Sequence, residues 1–151
     1  MSKKRIRFLL AGLLLACSSL AAQESLDLAG IIGIDLDTAF RKLGPPAEVF
    51  AVRGEQAWQD DVVFYYERSF YLFWYQNRVW QVRLDRRYPG EFFALKMGLA
   101  KEEVAARIGK PLKDLQDSFL YNLEDRGYPL RLRIFFEQGL LSDLYCYRGD
   151  F

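Results

Sequence analysis

Catalysis near neutral pH usually rests on a side chain that takes and gives a proton there, and this chain of 151 residues has no histidine. That removes the commonest general base, the commonest metal ligand and the base of Ser-His and Cys-His nucleophile pairs. Carboxylates remain. Asp60 and Asp61 are adjacent, so in a strand they point to opposite faces. They serve better as charges where a strand begins than as one acid–base site. Asp27, Asp35 and Asp37 have the composition of a cation site, but a capped helix start explains Asp35 and Asp37 more simply. Glu124-Asp125-Arg126-Gly127 has the composition of a turn. Cys146 lies between Tyr145 and Tyr147 in a strand-like run, which favours a buried structural thiol over a nucleophile. The glycines are scattered at turns and form no phosphate-cradling loop. The expectation is a non-enzymatic protein with no catalytic residues, no metal and no cofactor.

Binding is the chemistry that remains. The run from Val62 to Gln81, VVFYYERSFYLFWYQNRVWQ, has nine aromatic residues in twenty. Strand periodicity puts Phe70, Leu72 and Trp74 on one face and Tyr71, Phe73 and Tyr75 on the other. Across a turn at Gln76-Asn77, Val79 joins the first set and Trp80 the second. A later segment arbitrates between the faces. There Leu132, Ile134, Phe136 and Leu141 stand where Phe70, Leu72, Trp74 and Val79 do, while Arg133, Phe135 and Glu137 replace Tyr71, Phe73 and Tyr75. The aliphatic face is the core candidate. Tyr71, Phe73, Tyr75 and Trp80 are the candidate protein-binding residues on an open face, because Tyr and Trp join apolar area to a polar tip. The alternative keeps Trp80, Val82 and Leu84 together in the core, and a bulge would mix the two sets.

The first residues have the layout of an export signal. Lys3, Lys4, Arg5 and Arg7 precede an apolar run from Phe8 to Ala16, and small residues follow. That run is too short to span a bilayer. Residues 1–22 are read as the signal and residues 23–151 as a single domain. Leu14-Leu15-Ala16-Cys17 resembles a bacterial lipobox, which makes Cys17 the expected lipidation site and membrane tether. The competing cut lies near Ala21-Ala22 and would release a soluble periplasmic or secreted protein. Either route leaves Cys146 without an intramolecular disulfide partner. Taking the leader's four basic residues from 21 leaves 17 against 20 acidic ones, with no basic stripe for nucleic acid.

The elements that must position these residues carry an internal match. GIDLDTAFRKLGPP, from Gly33 to Pro46, aligns with GLAKEEVAARIGKP, from Gly98 to Pro111. Downstream, Gln76-Asn77 aligns with Gln138-Gly139. Asp35 caps a first helix whose stripe is Leu36, Ala39, Phe40 and Leu43, and Gly44 ends it. Val104, Ala105 and Ile108 form the second stripe, with Glu102 and Glu103 in its first turn. Strands are expected at 49–53, 61–67, 70–75, 78–86, 118–123, 130–137 and 140–147. The predicted fold class is α+β: two tandem helix-plus-antiparallel-strand repeats, about 30–88 and 95–149, sharing one sheet with the helices on one face.

A Gly, a short capped helix ending in Leu-Gly-x-Pro, and strands with an aromatic hairpin resemble the BamE/SmpA family of outer-membrane lipoproteins. The tandem arrangement resembles the β-lactamase inhibitor protein fold. The first resemblance implies an accessory of outer-membrane assembly or integrity with a protein partner in the envelope. The second implies a soluble secreted inhibitor of an enzyme. The flat rings leave a cell-wall or glycan-binding module as a further alternative.

Overall fold

The computed structural model describes residues 26–56 and 60–151. Eight strands form one antiparallel sheet: β1 (Glu48–Val52), β2 (Asp61–Tyr66), β3 (Phe70–Tyr75), β4 (Arg78–Leu84), β5 (Lys113–Asp114), β6 (Ser118–Asn122), β7 (Leu130–Glu137) and β8 (Leu140–Arg148). Their order across the sheet is β1-β2-β3-β4-β8-β7-β6-β5. Two eight-residue helices, α1 (Leu36–Leu43) and α2 (Lys101–Ile108), accompany it.

This corrects the expected fold class. The chain is one predominantly antiparallel sheet, not an α+β pair of tandem helix-plus-strand repeats. The reason is where the apolar area lies. Each helix has about two turns and fully buries a single residue, Ala39 in α1 and Val104 in α2. The strands supply most of the core, and β4 pairs directly with β8 from Gln81↔Tyr147 to Leu84↔Leu144. The ladder therefore runs without a break through the middle of the sheet.

Local chemistry explains the helix ends. Asp35 accepts a hydrogen bond from the Thr38 N–H at 2.8 Å and so caps α1. At α2 the capping residue is Ala100, which has no side-chain acceptor; the Glu103 carboxylate instead accepts from the Ala100 N–H at 2.9 Å. Gly44 and Gly109 end the helices at φ of 74° and 86°, where a side chain is strained. Phe40 departs from the expected stripe: it is 42% exposed and touches Phe64 only edge-on at 6.1 Å.

Two tight hairpins set the register. Gln76 and Asn77 have φ of 45° and 62°, and Gln138 and Gly139 have 53° and 78°, matching the right-handed twist of the flanking strands. A bulge follows each. On β4 the pairing passes from Trp74↔Val79 to Phe73↔Gln81, leaving Trp80 as the extra residue. On β8 it passes from Phe136↔Leu141 to Phe135↔Asp143, leaving Ser142. The extra residue shifts the alternation by one, so Val79 and Val82, three apart, both face the core. The grouping of Trp80 with Val82 and Leu84 is thereby resolved: the two aliphatic residues are fully buried and Trp80 turns to the other face.

The core lies on the helix side. Leu72, Val82, Leu132, Ile134, Leu144 and Cys146 pack there beneath α1, α2, the segment Leu28–Ile32 and the connector residues Tyr88, Phe92 and Leu95. The helices are pinned to it at their ends, where the Tyr66 and Tyr121 hydroxyls donate to the Gly44 and Gly109 carbonyls. Among the described residues, the opposite face of the sheet carries no helix.

Candidate functional site

On the helix-free face, directly paired residues form rows across the strands. One row runs Glu48, Tyr65, Tyr71, Arg83, Tyr145, Arg133, Leu120 and Lys113, one residue from each of the eight strands. Tyr65 and Tyr71 pack at 4.9 Å between centroids. The Arg83 guanidinium lies 5.2 Å from the Tyr71 ring and 5.5 Å from the Tyr145 ring, within the range of cation–π attraction. Arg133 lies 4.7 Å from the Phe135 ring. The next row runs Phe50, Val63, Phe73, Gln81, Tyr147, Arg131 and Asn122. Val63 is only 1% exposed although it lies outside the main core cluster, so this face has a small apolar layer of its own.

The four predicted binding residues all lie on this face. Tyr71, Phe73 and Trp80 are half-buried and Tyr75 is 39% exposed. They divide into two places. Phe73, Tyr75 and Trp80 belong to an aromatic patch, with Phe73 and Trp80 edge-to-face at 6.4 Å and Phe151 against both Tyr75 and Trp80. Exposed Phe50 and Val52 extend the patch to the sheet edge. The Trp80 Nε1 donates to Asp61 at 3.1 Å, which fixes the indole plane. Burial raises the Asp61 pKa and this hydrogen bond partly offsets it.

Tyr71 belongs instead to a polar cluster. Its hydroxyl donates to Asp85 at 2.8 Å, and the Asp85 carboxylate also accepts from Arg87 through its backbone N–H at 2.8 Å and its guanidinium at 2.7 Å. Burial pushes the Asp85 carboxyl up, but these donors outweigh it and hold the group at about 2. A cleft of about 430 Å³ opens here, lined by Tyr71, Arg83, Asp85, Arg86, Arg87, Glu137 and Asp143. Its charges are matched in pairs: Arg87 with Asp85, Arg83 with Asp143 at 2.5 Å, and Arg86 with Glu137 at 3.7 Å. Such a cleft offers hydrogen-bonding groups in fixed places. Each carboxylate in it faces a guanidinium.

The remaining chemical candidates are dispersed. Asp60 accepts from Arg53 and from the Gly54 N–H, while Asp61 turns to Trp80. Asp27 accepts from the Gly30 N–H, Asp35 from Thr38, and Asp37 pairs with Arg41. Among the described residues no three such side chains converge to hold a metal. Cys146 is fully buried, and burial pushes its thiol up to about 12. Cys17 lies outside the described residues. Sequence reasoning missed Arg83, Asp85, Arg87 and Asp143. The alternation of Arg131 and Arg133 with Leu130, Leu132 and Ile134 was a visible sign that this face is basic as well as aromatic.

No protein-family model matches the chain, and no curated protein matches it at a significant level. Among solved structures it is similar to an extracellular protein containing an SCP domain from Bacillus anthracis str. Ames, with a TM-score of 0.55 and 12% identity. The match covers 99% of this chain and 50% of the other, so the chain spans about half the length of that protein. At that identity the likeness is one of fold alone. Among the described residues no helix is long and apolar enough to cross a membrane.

Proposed function

We propose that the chain is an exported, non-enzymatic binding protein of the cell envelope that docks a protein partner on the helix-free face of its sheet. The observation that carries this reading is the aromatic patch of Phe50, Phe73, Tyr75 and Trp80 beside the Tyr–Arg row. Interface hot spots are enriched in Tyr, Trp and Arg, which give large contact area with polar tips. The matched ion pairs of the adjoining cleft suit a docking rim better than a reaction centre. Export is supported by the basic-apolar leader of residues 1–22 and agrees with the extracellular location of the structural neighbour. Lipidation at Cys17 would hold the binding face near a membrane, with an outer-membrane assembly or integrity role as the BamE/SmpA resemblance implies.

The test is photo-crosslinking from intact cells with a probe at Tyr75, followed by the same experiment with Trp80→Ala and Phe73→Ala. A discrete protein adduct that both substitutions weaken about 30-fold or more, in proteins with unchanged circular dichroism, is the expected result. Adducts to glycan alone, or protein adducts indifferent to both substitutions, would reject the reading.

A further inference from the structure

The two edges of the sheet differ in kind. One edge strand, β5, is two residues long, Lys113–Asp114, and Asp114 is tied to Lys101 at 2.8 Å. Short length and charge are how natural sheets close an edge to further pairing. The other edge strand, β1, is five residues long, and every one is exposed. Its sequence is Glu-Val-Phe-Ala-Val, and among the described residues it pairs only with β2. After Glu48 it is apolar on both faces. Phe50 and Val52 adjoin the aromatic patch on the helix-free side, while Val49, 58% exposed, sits with exposed Val62 and Phe40 on the helix side. A row of free backbone N–H and C=O groups between two apolar faces accepts one kind of occupant, another extended strand.

We infer that β1 pairs antiparallel with β1 of a second copy of this chain, joining two eight-stranded sheets into one across a two-fold axis.

Three observations select a second copy. First, among the described residues only one edge is long and open, so self-pairing uses it up and gives a closed dimer, whereas two open edges would give fibres. Second, the charges suit an antiparallel self-pair. Glu48 begins the strand and Arg53 follows its end, with Arg53 giving one nitrogen to Asp60. Antiparallel pairing sets the two Glu48 carboxylates, and the two Arg53 guanidinium groups, at opposite ends of the new ladder; parallel pairing would stack like charges. Third, the side chains fit. A two-fold axis perpendicular to the sheet keeps like faces together. The register that pairs all five residues then places Phe50 on the axis against its own copy, Val49 against Ala51, and Glu48 against Val52. Phe50 forms an aromatic cross-strand pair, and Val49 meets the small Ala51. This inference concerns the sheet edge and does not rest on the proposed partner of the face.

Sedimentation equilibrium on the full chain tests it. The expected result is a monomer–dimer equilibrium. Val49→Lys, which sets two ammonium groups on the diagonal of the new ladder, shifts that equilibrium at least tenfold toward monomer. The double variant Val49→Lys/Ala51→Glu sets opposite charges across both pairs and restores the dimer. Leu112→Lys, an equally exposed change beside β5, leaves the mass unchanged. Because Val49 and Ala51 are exposed, near-ultraviolet circular dichroism should match the parent in every case. A chain that stays monomeric up to about 100 μM, the range a short apolar ladder reaches, overturns the proposal. So does a dimer indifferent to Val49→Lys, or a double variant no better paired than the single one.

Discussion

Two tryptophans separated by six positions should respond very differently to truncation, because strand alternation across the hairpin puts them on opposite faces. Trp74 is 8% exposed, packs at 5.0 Å against Phe64, and is paired with Val62 and Val79. Trp74→Ala removes a large buried ring and leaves a cavity between two strands, a loss of about 3–5 kcal/mol. Trp80 is half-buried and keeps one hydrogen bond, to Asp61. Trp80→Ala loses that bond, about 1 kcal/mol, and part of the ring's packing on Phe73, for a total of about 1–2 kcal/mol. A third variant sharpens the comparison. The Trp74 Nε1 is buried with no hydrogen-bond partner among the described residues. Trp74→Phe keeps an aromatic ring beside Phe64 and deletes the unsatisfied donor, so gain offsets loss and stability stays within about 1 kcal/mol of the parent. Urea melts followed by far-ultraviolet circular dichroism measure all three without relying on the tryptophans being removed. If Trp80→Ala costs as much as Trp74→Ala, the aromatic patch is a second core and not a surface held ready for a partner.

The pH dependence of stability should carry the mark of Asp85. Its carboxyl is held at about 2 against an unfolded value of about 3.9, so its contribution is present above pH 4 and is lost as pH falls toward 2. That loss is about 2 kcal/mol, and Asp85→Asn should flatten it in melts at pH 2–5; an unchanged slope would show that other carboxylates dominate. The thiol of Cys146, fully buried and raised to about 12, should resist a thiolate-selective alkylating agent in the native protein and react on unfolding. Rapid native labelling at that position, read by peptide mass, would contradict its burial.

Much of the sheet was legible in the sequence because its signals are local. Period-two alternation marks β3 and β7, and Gln76-Asn77 and Gln138-Gly139 are two-residue turns between apolar runs. The face of Tyr71, Phe73 and Tyr75 followed from that alternation alone. The fold class did not follow. Two short helix motifs at matching positions stand out in a sequence more than the pairing of β4 with β8, which joins distant parts of the chain and leaves no local trace. The same pairing hid the polar half of the site. Arg83 is an ordinary charged residue in its own strand, and only the Arg83↔Tyr145 register sets it between two rings and beside Asp143. Strand β5 was missed because two charged residues have no period to detect, and that same brevity keeps its edge from pairing. The bulge at Trp80 depends on how two strands accommodate one extra residue after a tight turn, and single-strand periodicity cannot contain it. Yet that one residue decides the character of the face. Without the bulge, Gln81 and Arg83 would turn into the core and Val82 and Leu84 outward. With it, Val82 and Leu84 stay buried, and Gln81 and Arg83 join Trp80 on the open face, where Asp61 holds the indole in plane.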